Sequence, residues 1–102
     1  AFAQHRIEAL VFPTTPRTAA RIGEDETVEL NGRQLPTFLT FIRNTDPGSN
    51  AGIPGLSLPA GLTAGGLPVG LELDGPLGSD QRLISIALAF ESVLGPVAAP
   101  RL

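Results

Sequence analysis

Cysteine is absent from this chain, and so are lysine, methionine, tryptophan and tyrosine. Without cysteine there is no disulfide, no thiolate nucleophile and no Cys-based metal site. With a single histidine, His5, a transition-metal centre lacks its usual nitrogen ligands. A Ser–His–acid triad would have to run through that same residue near the first turn of chain. Every basic side chain is arginine, seven against ten acidic residues, for a formal net charge of −3. That balance does not suit a surface built for nucleic acid or anionic lipid, so neither is expected as a partner. No apolar run approaches the roughly 18 residues of a membrane span. The opening residues also lack the basic start and apolar stretch of a secretory leader. The expectation is a cytoplasmic protein that uses no metal and no cofactor.

What is present is glycine and proline in abundance, 12 and 10 of 102 residues, with 42% hydrophobic residues. Such a chain is compact and loop-rich, and its length suits one small domain with no internal boundary over 1–102. Residues 1–8 read as the last turns of a helix. Ala9-Leu10-Val11-Phe12, stopped by Pro13, is a short apolar run that suits a strand buried on both faces. Thr14-Thr15-Pro16 reads as loop. Asn31-Gly32 is a two-residue turn signal, and Thr27–Leu30 with Arg33–Leu35 forms either a hairpin across it or an exposed loop.

A helix is predicted from Pro36, a residue that suits a first turn, with Phe38, Leu39, Phe41 and Ile42 at helical spacing and an end near Asn44. The turn formers Asp46-Pro47-Gly48-Ser49-Asn50 precede a single helical turn before Gly52. Gly55–Ala60 and Leu67–Asp74 alternate with period two, which predicts two strands with one buried face each. Their short connection makes them antiparallel neighbours. The last helix is the clearest element. Ser79 is placed as its N-cap and Asp80 favours the positive end of its dipole. Leu83, Ile86, Ala87, Phe90 and Leu94 form one stripe, which Ile84, Leu88 and Val93 widen to nearly the whole circumference. Gly95-Pro96 stops it, and Val97–Leu102 is an extended tail.

A strand buried on both faces and a helix apolar almost all round demand several covering layers, and 102 residues offer little to cover them with. The expectation is a segment of a larger α/β fold. Read from residues alone, chemistry is sparse. His5 reads as an exposed helix end. Ser49 has no strand leading into it and does not fit a nucleophile elbow; it reads as a turn cap. The glycines 61, 65, 66 and 70 are followed by no Lys-Ser/Thr, which excludes a phosphate-binding loop. Glu24–Glu29 reads as a solvated acidic loop, and Arg43 is near enough in sequence to pair with Asp46.

Residues 45–75 carry a specific resemblance. Thr45-Asp46-Pro47, Gly52-Ile53-Pro54, Pro59-Ala60-Gly61 and Gly66-Leu67-Pro68-Val69-Gly70-Leu71 are similar to the C-terminal part of the amidase signature family. Upstream, Leu10-Val11-Phe12-Pro13-Thr14 resembles the family's apolar strand ending in Pro-Thr, and Asp80–Glu91 resembles its final helix. The wording over Asn44–Leu62 looks closest to the mandelamide and indoleacetamide hydrolase branch. The resemblance implies an α/β fold with a mixed sheet and packing helices. It also implies hydrolysis of a carboxamide to acid and ammonia by a Ser–cis-Ser–Lys group, with backbone N–H groups holding the oxyanion.

This chain contains no lysine and no Gly-Gly-Ser-Ser stretch, so no catalytic residue carries over and the chain alone is expected to be inactive. The segment entering the Thr-x-Pro motif borders the substrate in the family, which makes Phe38, Ile42 and Thr45 the candidate pocket residues. Glutaminyl-tRNA amidotransferase relatives place an Asp three residues before that Thr to hold an amino acid substrate; here the position is Ile42. An apolar side chain cannot pair with an ammonium, which favours an uncharged, aryl amide. The alternative for Phe38 and Ile42 is plain core packing. The rival reading of the whole chain is a stand-alone, non-catalytic interaction module. Uncovered apolar faces and strand edges lead to the expectation of a homo-oligomer.

Overall fold

The computed structural model describes residues 2–99. The order of elements is α1 (Phe2–His5), β1 (Leu10–Pro13), β2 (Thr27–Leu30), β3 (Arg33–Pro36), α2 (Thr37–Ile42), α3 (Asp46–Ala51), β4 (Gly55–Leu62), β5 (Pro68–Asp74) and α4 (Asp80–Leu94). Two separate antiparallel sheets result, β1-β5-β4 and β2-β3. The expected helices, hairpin and antiparallel pair of strands are all there.

The smaller sheet is a hairpin because Asn31 and Gly32 both take positive φ, 52° and 77°. That geometry matches the right-handed twist of the arms. The Glu29 carboxylate closes the turn by accepting from the Gly32 N–H at 2.5 Å. The hairpin is tied to α2 at its base: the Thr37 N–H donates to the Glu26 carbonyl at 3.0 Å and the Thr37 hydroxyl to the Glu24 carbonyl at 2.8 Å. Val28 is buried. The acidic stretch is thus folded into this hairpin, with Glu24 accepting from the Arg21 N–H and lying 4.0 Å from Arg17.

In the larger sheet β5 is central. Leu56 and Leu58 of β4 stand opposite Leu73 and Leu71 of β5, and this leucine face lies under α4. There Leu73, Leu83 and Ala87 form a buried cluster, with Ala9, Leu56, Leu58, Ile86 and Phe90 packed around it. Near the hairpin's end the register shifts between Pro59 and Gly61. Gly61 takes φ 142° there, a conformation that costs glycine little.

Several expectations are corrected. β1 is not buried on both faces: it is an edge strand paired only with β5. α4 packs on β4 and β5 instead, which leaves Leu10 and Val11 exposed. Only Leu83 and Ala87 of α4 are buried, while Ile84, Leu88 and Val93 face outward. Ser79 precedes α4 but its hydroxyl makes no capping bond. It is buried without a partner, against Gly75, where a Cβ would lie 2.4 Å from Ser79 Oγ. Ser49 lies within α3 and not in a turn. Arg43 and Asp46 do not pair; among the described residues the ion pairs are Arg17–Glu24 and Arg82–Glu8. Residues 97–99 form no regular element, and the rest of the expected tail, with residue 1, lies outside the described residues.

The Cα radius of gyration, 15.3 Å, exceeds the value of about 13 Å for a compact domain of this length. A thin core predicts a sharp contrast between positions. Leu73→Ala should cost about 2–5 kcal/mol, whereas Leu88→Ala should stay within about 0.5 kcal/mol. Equilibrium urea denaturation of the two variants checks this, and equal effects would contradict the placement of the core.

Candidate functional site

The second face of the large sheet is polar. Cross-strand partners share a face, so the pairs Leu10–Asp74 and Phe12–Glu72 on one side of β5, with Gly55–Asp74 and Ser57–Glu72 on the other, put two carboxylates, a hydroxyl and a glycine together. Thr14, just past β1, is drawn in by its N–H, which donates to the Gly70 carbonyl at 3.0 Å. Its Oγ1 lies 2.5 Å from Ser57 Oγ. Period-two alternation predicts that Glu72 and Asp74 face solvent. Instead they are only 8% and 6% exposed, because β5 is flanked by strands on both sides and α3 lies over its end.

Small residues make that burial possible. Gly48 in α3 comes so close that a Cβ there would sit 2.6 Å from Asp74 Oδ2. The strand entering β4 is anchored alongside by the Gly75 N–H, which donates to the Pro54 carbonyl at 2.9 Å. At Gly55 a Cβ would lie 2.8 Å from Asp74 Oδ1 and 3.0 Å from Glu72 Oε1. At Gly70 it would meet Thr14 Oγ1 at 2.7 Å and Ser57 Oγ at 2.9 Å. The acid pair therefore occupies space that side chains at 48, 55 and 70 would take.

The link from α2 to α3 borders the same sheet. The Asn44 side-chain amide donates to the Pro13 carbonyl at 2.8 Å. A shallow concavity forms there, lined by Phe12, Pro13, Arg43, Asn44 and Pro47. Thr45 is half-buried, its hydroxyl donating to the Ile42 carbonyl at 3.3 Å. Ile42 is also half-buried, while Phe38, one helical turn earlier, is 72% exposed. Within this chain Phe38 is therefore not a core residue. Ile42 and Thr45 are brought together, and Phe38 stands out on the exposed surface of α2.

Electrostatics mark the polar face as well. Burial raises the Glu72 carboxyl above its ordinary 4.5. The like charge of Asp74 raises it further, and the hydroxyls of Thr14 and Ser57 pull it partly back. Burial alone raises Asp74 above its ordinary 3.8. Among the described residues no three His, Cys, Asp or Glu side chains converge as metal ligands would. Sequence reading passed over Glu72 and Asp74, taking them for the solvent side of a half-buried strand. The available signal was their two-residue spacing on a strand with neighbours on both edges, opposite Gly55.

A carboxyl group whose folded pKa lies above its unfolded value binds its proton more tightly when folded, so stability falls as pH rises through that interval. Stability should be highest below about pH 4, where both groups are protonated in either state, and decline from there toward neutrality. The Glu72→Gln/Asp74→Asn chain should show a flatter profile and a higher melting temperature at pH 7. Thermal unfolding across pH 3–7 checks the sign; a double variant less stable than the parent at pH 7 contradicts it.

The sequence profile of the family described as Amidase matches residues 1–84. Over 93 residues the chain is 52% identical to the indoleacetamide hydrolase of Agrobacterium vitis, an alignment covering 91% of this chain and 20% of that protein. It is 47% identical over 100 residues to the mandelamide hydrolase of Pseudomonas putida, covering 97% and 18%. Among solved structures, a crystal structure of an amidase superposes with a TM-score of 0.79 at 35% identity, over 86% of this chain and 20% of that one. A 6-aminohexanoate cyclic dimer hydrolase complexed with substrate gives 0.75 at 29%, over 87% and 20%. The chain thus spans about one fifth of the length of these relatives, and it belongs to the amidase family.

Proposed function

We propose that this chain is the C-terminal segment of an amidase that hydrolyses an uncharged aryl carboxamide to acid and ammonia. In this reading Phe38, Ile42 and Thr45 form one wall of its substrate pocket. The observation that carries the reading is the α2 surface: positions 38, 42 and 45 stand at helical intervals, with Phe38 exposed and Ile42 only half-buried. An exposed aromatic beside an aliphatic side chain suits a flat apolar ring, and it offers nothing to hold an ammonium. Relatives named for indoleacetamide and mandelamide agree with a ring-bearing amide.

The reacting Ser–cis-Ser–Lys group belongs to polypeptide outside these 102 residues, for the sequence has no lysine to serve as its base. What this chain does is bind and exclude water. Phe38 and Ile42 cover one side of the ring, and Thr45 fixes the helix end through its bond to the Ile42 carbonyl. A fixed wall holds the amide carbonyl at a constant position before the nucleophile, which is where orientation lowers the barrier.

Two measurements test this. The 102-residue chain should release no ammonia from mandelamide or indoleacetamide. Exchanged for the matching segment of the Agrobacterium vitis enzyme, it should support turnover. In that chimera, Phe38→Ala and Ile42→Asp should each lower kcat/KM by about tenfold or more. Turnover by the isolated chain, or kcat/KM untouched by both substitutions, would overturn the reading. By the same reading the isolated chain exposes Leu10, Val11 and the outer face of α4, so it should self-associate into homo-oligomers. Sedimentation velocity should show species larger than a monomer; a clean monomer at high concentration counts against it.

A further inference from the structure

We propose that the gap over Gly55 receives an arginine guanidinium carried by amidase polypeptide outside residues 1–102, which bridges Glu72 and Asp74. The proposal rests on the amidase reading, since that reading makes further polypeptide the neighbour of this sheet face. Asp74 is 94% removed from solvent by its 6% exposure, yet its carboxylate makes no hydrogen bond with any described side chain or backbone group. A buried carboxylate without a donor is costly. Neither ion pair of the described residues involves it, and the charge that bears on Glu72 is the like charge of Asp74.

The geometry selects the ligand. Gly55 is itself exposed, so the space where its Cβ would stand opens to the surface. That one point lies 2.8 Å from Asp74 Oδ1 and 3.0 Å from Glu72 Oε1. Two carboxylate oxygens bordering one opening match a planar fork of several N–H donors, which can contact both at once. A guanidinium is also less strongly hydrated than an ammonium, so it loses less on entering a nearly closed site. A divalent cation would need more oxygen ligands than this pair supplies.

The experiment uses the whole 102-residue chain at pH 7 and constant ionic strength, titrated with N-acetylarginine methylamide and followed by carbon-detected NMR of the side-chain carboxylates. Saturable shifts of the Glu72 and Asp74 signals are expected, with weaker binding of the lysine analogue. Asp74→Asn should weaken binding roughly tenfold, the loss of one charge-assisted hydrogen bond. Gly55→Ala should weaken it while leaving both charges in place. Absence of a saturable shift, equal shifts with the lysine analogue, or shifts that survive both substitutions overturn the proposal. Ammonia release by the chimera is a separate readout: an active chimera with no arginine binding here discards the bridge and leaves the enzyme reading standing.

Discussion

A strand with hydrogen-bonded neighbours on both sides has nowhere to send its side chains except into whatever covers the two faces of the sheet. β5 is that strand, and the rest of the structure is arranged around the demand. Leu73 on one face is met by α4. Glu72 and Asp74 on the other are met by hydroxyls, by backbone and by three glycines that withdraw their own side chains. The core and the polar site are therefore two sides of a single residue sequence, Leu71-Glu72-Leu73-Asp74. A change in register by one residue would exchange them.

Local signals determined most of the fold. Asn31-Gly32 specified its hairpin because two adjacent positive φ angles are open to few other pairs. Pro36 and Gly95 bracketed helices by what they forbid: a backbone donor in one case, a right-handed continuation in the other. The alternation in Gly55–Ala60 and Leu67–Asp74 gave the leucine face correctly. What alternation could not convey was pairing order. β1 looked central because it is apolar throughout, yet it lies at the edge. A run of apolar residues records that something covers it, without recording whether the cover is in the same chain.

The same limit explains the site. Phe38, Ile42 and Thr45 were reached through resemblance, because no property of a single helix turn separates a pocket wall from a packing face. Exposure of Phe38 in the structure is compatible with the first and not with burial inside this chain. Glu72 and Asp74 were missed because acidic residues at alternate positions are the ordinary mark of a wetted face. Their burial depends on Gly48, thirty positions away along sheet and helix, and on Gly55 across the strand pair. Long-range absence of a side chain leaves no local trace.

The hairpin of β2 and β3 shares no hydrogen-bonded edge with the large sheet. Its attachment runs through Thr37 and the neighbourhood of Val28 at the base. The tip at Asn31–Gly32 is thus mechanically insulated from β5. Residues could be gained or lost there during divergence without disturbing the strand that sets both the leucine layer and the acid pair. This lobe is the part of the chain freest to lengthen, shorten or acquire a new contact while the amidase scaffold stays fixed.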